Sequence, residues 1–178
     1  MRADPPIAYP DGSEVTVVRR PVDLERDPLE LHWTIGPSSR TPPHSHPGGS
    51  EELAVQTGRI EVLLGGRWRP VSSGQSLVVP PGCVHTYRNR SGSPARAISL
   101  HTPAGNFGDF VDRAGRMAAA GQFGGLRGRL LIAMLWTGHE DSFRLARASD
   151  RAGNSLLAAI GRASGLQLPD PEGDSTAA

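Results

Sequence analysis

Lysine is missing from this chain of 178 residues; all 19 basic residues are arginine. Schiff-base chemistry and a lysine general base are therefore excluded. Cysteine is almost missing as well. Cys83 stands alone, so no disulfide can form within the chain. Long hydrophobic runs are also lacking. The longest, residues 130–136, falls far short of the ~20 residues that a membrane-spanning helix needs. No charged segment followed by an apolar stretch opens the sequence, so no secretory signal is expected. Neither sign of charge is in excess: the formal net charge is +1. Composition thus gives no electrostatic case for nucleic acid or an anionic membrane. The expectation is a soluble, cytoplasmic protein, long enough for one domain with an appendage.

Many short segments read as strands. Residues 15–18 and 29–35 are rich in β-branched and aromatic side chains. Residues 51–56, 59–64, 67–71, 75–79, 84–89 and 95–101 follow, separated by Gly and Pro turns; Gly65-Gly66 signals a hairpin. Such a series favours a sandwich or barrel. After Pro103 the period changes. Phe107, Phe110, Val111, Ala114, Met117 and Ala118 follow helical spacing, with Asn106 placed to cap the helix. Further helices are expected at 126–136, 139–148 and 155–163. The expected organisation is a loose arm at 1–12, a β domain at 13–103, a helical extension at 104–166 and a frayed tail at 167–178. Eight arginines against five acidic residues in 107–163 are scattered and form no stripe, so DNA binding by these helices is not expected.

Chemistry concentrates in two short stretches. The first is His44-Ser45-His46, followed by Glu51. Side chains on a strand alternate between faces, so His44 and His46 point the same way and can reach one ion. A carboxylate from the next strand and a third imidazole, His85, complete a set of three nitrogens and one oxygen. That set suits one divalent transition metal (Fe, Mn, Ni, Zn or Cu) and leaves positions open to outside ligands. Glu52 faces opposite to Glu51 on an alternating strand, so Glu51 is the expected ligand.

At these residues the chain resembles the cupin family. The first cupin motif ends in His-x-His, three or four residues, Glu, six residues, Gly, and is matched by His44, His46, Glu51 and Gly58. The second is matched throughout by Gly74, Pro80, Gly82, His85 and Asn89. The one departure is upstream, where seven residues instead of five separate Gly36 from His44. The resemblance implies an all-β, double-stranded β-helix (jelly-roll) barrel with the helices as a C-terminal extension. It also implies metal binding by His44, His46, Glu51 and His85. Single-domain, quercetin-dioxygenase-like cupins are the nearest in pattern, which implies dioxygenase chemistry on an aromatic or keto-enol substrate. A metal-dependent isomerase, lyase or polyketide cyclase is the alternative, as is a small-molecule-binding cupin without turnover. Single-barrel cupins usually pair, so a homodimer is expected.

Parity along the strands extends the site. Leu53 and Val55 share the face of Glu51, and Tyr87 shares that of His85. These three are expected to line the substrate pocket, with Tyr87 as the catalytic candidate that orients substrate or donates a proton. The pocket should admit a small apolar or aromatic molecule, since no arginine falls on the derived face. Elsewhere, Trp33 is expected in the core, His101 in the core or on the surface with entry into the pocket as the alternative, and His139 in solvent. Cys83 is expected as a small buried hydrophobe, and Asn89 as a turn residue.

Overall fold

The structure, a computed structural model, describes residues 5–171. The first residues of the expected arm and most of the expected frayed tail lie outside this range.

Eleven strands form two sheets among the described residues. The first holds β1 (Ile7–Ala8), β2 (Glu14–Arg19), β3 (Leu29–Ile35), β10 (Ala95–Thr102), β5 (Ser50–Thr57) and β8 (Ser76–Val79), in that order. The second holds β11 (Arg144–Leu145), β4 (His44–Ser45), β9 (His85–Arg88), β6 (Arg59–Leu64) and β7 (Arg67–Ser72). Every pairing is antiparallel. Two antiparallel sheets with three helices, α1 (Phe107–Ala119), α2 (Gly125–Gly138) and α3 (Ala148–Ala163), fit a cupin jelly roll.

Alternation sets the inner face of each strand. On β5 the buried positions are Glu51, Leu53 and Val55; on β10 they are Ala95, Ala97, Ser99 and His101. The register pairs Val55 with Ala97, Leu53 with Ser99 and Glu51 with His101. The inner face is therefore apolar at one end and polar at the other. The apolar end closes on Ile60 and Val62 of β6 and Val71 of β7, with Ile35. The polar end carries the chemistry.

Strands β2 and β3 extend the first sheet beyond the second. Val15, Val17, Leu29 and Leu31 on this wing are covered by Phe107 and Val111 of α1, with Phe143 and Leu145. Helix α2 is apolar on most sides because it is packed on most sides. Leu131 and Leu135 meet Ala114 and Met117 of α1, while Ala133 and Met134 meet Ala158 of α3. The run 130–136 is thus an internal cover.

Three local expectations are corrected. The arm is not loose from residue 7, because Ile7 pairs with Val15 and Tyr9 stacks on Trp33. In the expected frayed tail, Leu168 packs against α1 and α2. The segment 139–148 is not a helix; its Arg144 and Leu145 form β11 against Ser45 and His44. Asn106 does precede α1, but its side chain makes no capping bond.

Candidate metal centre

Three strands and one loop bring the four expected ligands together. His44 lies on β4 and is paired directly with His85 at the start of β9. His46 follows β4, and Glu51 enters on β5. Between them, Gly49 passes so close to strand β10 that a Cβ there would sit 2.8 Å from the Pro103 carbonyl oxygen. The Gly58 that ends the first motif needs its glycine twice over: φ is +78°, and a Cβ would lie 3.1 Å from Ala95 Cα. One ligand atom from each of His44, His46, Glu51 and His85 lies within 4.8 Å of the other three. All four residues are buried. The cluster could hold one metal ion.

Backbone carbonyls fix the ring nitrogens. His44 Nδ1 meets the Pro42 oxygen at 2.8 Å, His46 Nδ1 the Ser142 oxygen at 2.6 Å, and His85 Nδ1 the Cys83 oxygen at 3.1 Å. A carbonyl only accepts, so each Nδ1 carries the hydrogen and donates. In each neutral ring the lone pair is then on Nε2. This is the outer support that metal-ligating histidines almost always have. His46 Nε2 is buried, has no hydrogen-bond partner, and lies 3.5 Å from Glu51 Oε2. Two acceptors facing each other in a buried site call for a cation between them. The residues present therefore fit a divalent metal.

Glu51 is oriented on its other oxygen. Ser99 Oγ donates to Glu51 Oε1 at 2.8 Å, and His101 Nε2 meets Ser99 Oγ at 2.8 Å. The serine hydrogen is committed to the carboxylate, so His101 donates and its Nδ1 keeps a lone pair. We predict that Ser99→Ala lowers metal affinity roughly 10–100-fold. A competing chromophoric chelator measures this, with stoichiometry at saturating metal unchanged. Unaltered affinity would remove Ser99 from the site.

Burial shapes the charges. It holds His44 well below the usual imidazole value, with His85 and His46 alongside adding to the effect. It brings His101 down to about 3, so that ring stays neutral. For Glu51, burial opposes ionisation. His101, the approach of His46 and the hydrogen bond with His85 outweigh it and hold the carboxyl well below the usual range. For His85, burial is outweighed by the 2.8 Å hydrogen bond to Glu51 Oε2 and its charge, and the value rises. A proton thus bridges His85 and Glu51 when no metal does.

A cavity of about 450 Å³ opens onto His44, His46 and Glu51. The chain has three Trp, two Tyr and four Phe, and all but Trp68 line this cavity. Trp68 lies outside, under the Arg88 guanidinium at 3.6 Å. Helices and strands contribute jointly: Trp33 and Tyr87 from the sheets, Phe110 and Trp136 from the helices. Phe143 lies almost parallel to His44, with ring centroids 4.2 Å apart.

Several expected positions shift. Tyr87 lines the cavity. Leu53 and Val55 do not. They share the inner face with Glu51, but β5 carries them away from the centre into the closed apolar end, among Ile35, Ile60 and Val62. Arg40 lines the cavity, from the loop between β3 and β4, which strand parity could not reach. Trp33 is cavity wall, while His32 is exposed. His101 lies inside the site, beside Glu51. Its parity with Ser99 on the closing strand was the available signal. His139 is buried: Nδ1 donates to the Leu135 carbonyl and Nε2 meets Asp109 at 2.7 Å, joining α2 to α1. Cys83 is half-buried and free. Asn89 is fully buried, donating to the Ile35 and Ser93 carbonyls and accepting from Ser91. Ser142 and Phe143 had no sequence signal at all.

Among the described residues, no helix is long and apolar enough to cross a membrane.

Comparison with known proteins finds similarity in the segment that holds the centre. Polyketide synthase CurC of Streptomyces cyaneus is 36% identical over 67 residues, or 38% of this chain; the match spans 44% of that protein's length. Among solved structures, KdgF from a Halomonas species has a TM-score of 0.50 and 21% identity, covering 56% of this chain and 86% of that one. The Cupin_2 domain of an XRE family transcriptional regulator from Enterobacter cloacae has a TM-score of 0.45 and 25% identity, covering 51% and 95% respectively. The likeness to KdgF concerns the fold alone. The family described as Cupin domain matches residues 31–101, the segment that carries all four ligands together with Ser99 and His101. That segment is where the chain is similar to the cupin family.

Proposed function

We propose that this protein is a mononuclear metalloenzyme that acts on a small, planar, mostly apolar molecule inside a closed jelly-roll barrel. One observation carries the reading: nearly every aromatic side chain of the chain is spent on one cavity, and that cavity ends on His44, His46 and Glu51. Aromatic walls hold flat, polarisable rings by stacking and exclude water. A divalent transition metal bound there supplies a Lewis acid or a place to bring O2 and substrate together.

The chain's own residues do the rest. Glu51 and the three imidazoles hold the ion, and Ser99 and His101 keep the carboxylate in place. Burial pushes the Tyr87 phenol up, so it keeps its proton. Among the described residues its hydroxyl has no hydrogen-bond partner. It is free to donate to a carbonyl or enol oxygen of the bound molecule.

Dioxygenase-type oxidation of an aromatic or keto-enol compound is the leading reading. Cyclisation or isomerisation of a polyketide-like aromatic is the second, favoured by the partial similarity to CurC. We propose a homodimer, since β7 and β8 are left as sheet edges and exposed edges need cover.

The test combines metal analysis of purified protein with O2 uptake over a panel of aromatic and keto-enol compounds that shift its melting temperature. Uptake supports the dioxygenase; ring closure or isomerisation without uptake supports the second reading; metal and ligand without turnover would reduce the protein to a binding module. Tyr87→Phe should lower turnover roughly tenfold, the scale of one hydrogen bond, with metal content intact. Unchanged turnover would remove Tyr87 from the reaction.

A further inference from the structure

A second cavity, of about 410 Å³, reaches the centre from another side. It shares His46, His101 and Phe107 with the aromatic cavity. Its chemistry is otherwise opposite. Glu25 and Asp141 stand on its wall, both exposed, and no arginine lines it. Among the described residues neither carboxylate has a partner. Gly48, Gly49 and Gly105 leave part of the passage bare of side chains, and Ser50 and Asn106 add oxygen atoms. Asn106 Oδ1 is buried without a hydrogen-bond partner. The inner end is formed by His46, 5% exposed, whose Nε2 is, among the described residues, the other buried side-chain polar atom left without one.

Unpaired acceptors outside and a lone-pair nitrogen within describe a path for a cation. We infer that a hydrated divalent metal ion reaches the centre through this acidic cavity, while the aromatic cavity serves the organic molecule. The inference rests on the metal reading of the four-residue cluster. A dication leaves its water shell readily only where oxygen ligands take the place of that water. Carboxylates at a cleft mouth also raise the local cation concentration and the association rate. The aromatic cavity offers no free carboxylate ahead of the centre. Its wall carries the Arg40 charge, and its one carboxylate besides the ligand Glu51, Asp11, is already engaged by Ser13 N at 3.0 Å and Ser39 Oγ at 2.6 Å.

The experiment is stopped-flow binding of Zn²⁺ or Co²⁺ to the metal-free, full-length chain. Both acidic side chains are exposed, so the Glu25→Gln/Asp141→Asn double variant should fold normally. Its association rate should fall roughly tenfold at low ionic strength, and the salt dependence of the wild-type rate should flatten. Final stoichiometry should stay as in the wild type. Arg40→Glu, which puts a negative charge at the aromatic mouth, should leave the rate unchanged. An unaltered rate in the double variant, or a marked acceleration in Arg40→Glu, overturns the inference while leaving the centre standing. A wild-type chain that binds no metal overturns the centre, and this route with it.

Discussion

Replacing Glu51 by Gln is expected to abolish stoichiometric binding of a divalent metal. The carboxylate is the single anionic ligand among four, it is buried, and both its oxygens are engaged, one by Ser99 and one by His85. An uncharged amide in that place leaves three neutral nitrogens around a dication in a dry site. The loss should exceed the roughly 100-fold upper range seen when an outer supporting residue is changed. His85→Ala should act similarly. Metal counted per chain after dialysis reads both, and unchanged content in both rejects the site.

The pH dependence has a definite sign. Metal must displace the proton that His85 shares with Glu51, so affinity falls as pH falls, starting above the ordinary imidazole value of about 6.5 because His85 is raised. Without metal, the raised value means that the pair's contribution to stability is fully present just below pH ~6.5 and is lost as pH rises through the folded value. The depressed Glu51 sets the lower edge, where the contribution disappears in acid. Metal-free protein should therefore melt earlier as the pH rises beyond the ordinary imidazole value of about 6.5, and metal-loaded protein should not. Parallel melting curves across that range would contradict the proton bridge.

Leu131→Ala is expected to give the largest loss of stability of any single helical change. Leu131 is fully buried among Ala114, Met117 and Leu135, where α1 and α2 meet. A cavity of this kind costs about 2–5 kcal/mol, with a fall in melting temperature of about 2–4 °C per kcal/mol at this chain length. The same helices carry Phe107, Phe110, Ile132 and Trp136 of the aromatic wall. Loss of their packing should weaken binding of aromatic ligands more than metal binding. Thermal melts with and without ligand separate the two. A change below about 1 kcal/mol would show that the helical layer is not packed as described.

Strands with long alternating patterns were legible to the residue. Residues 29–35 and 59–64 coincide with β3 and β6, because each buries one face and shows the other. The metal cluster was legible too, because motif spacing and parity both act within a few residues. The errors begin where partners are distant. β11 is two residues long and exists only because β4 lies beside it. His139 reads as a solvated helix-end residue until Asp109, 30 positions earlier, is brought to 2.7 Å. Leu53 and Val55 show the limit of parity, which gives the face of a strand but not the depth along it.

The carbonyl of Ser142, 96 positions beyond His46, sets the order of assembly for the centre. During synthesis the chain has made all four ligands once His85 has emerged. His46 then has no fixed tautomer and β4 has a bare edge until the segment at 142–145 arrives and docks. A competent site consequently depends on a segment that lies beyond α1 and α2 in the chain. Premature metal capture by a half-built cluster is discouraged by the same delay, because the imidazole that must present its Nε2 is not yet held in place.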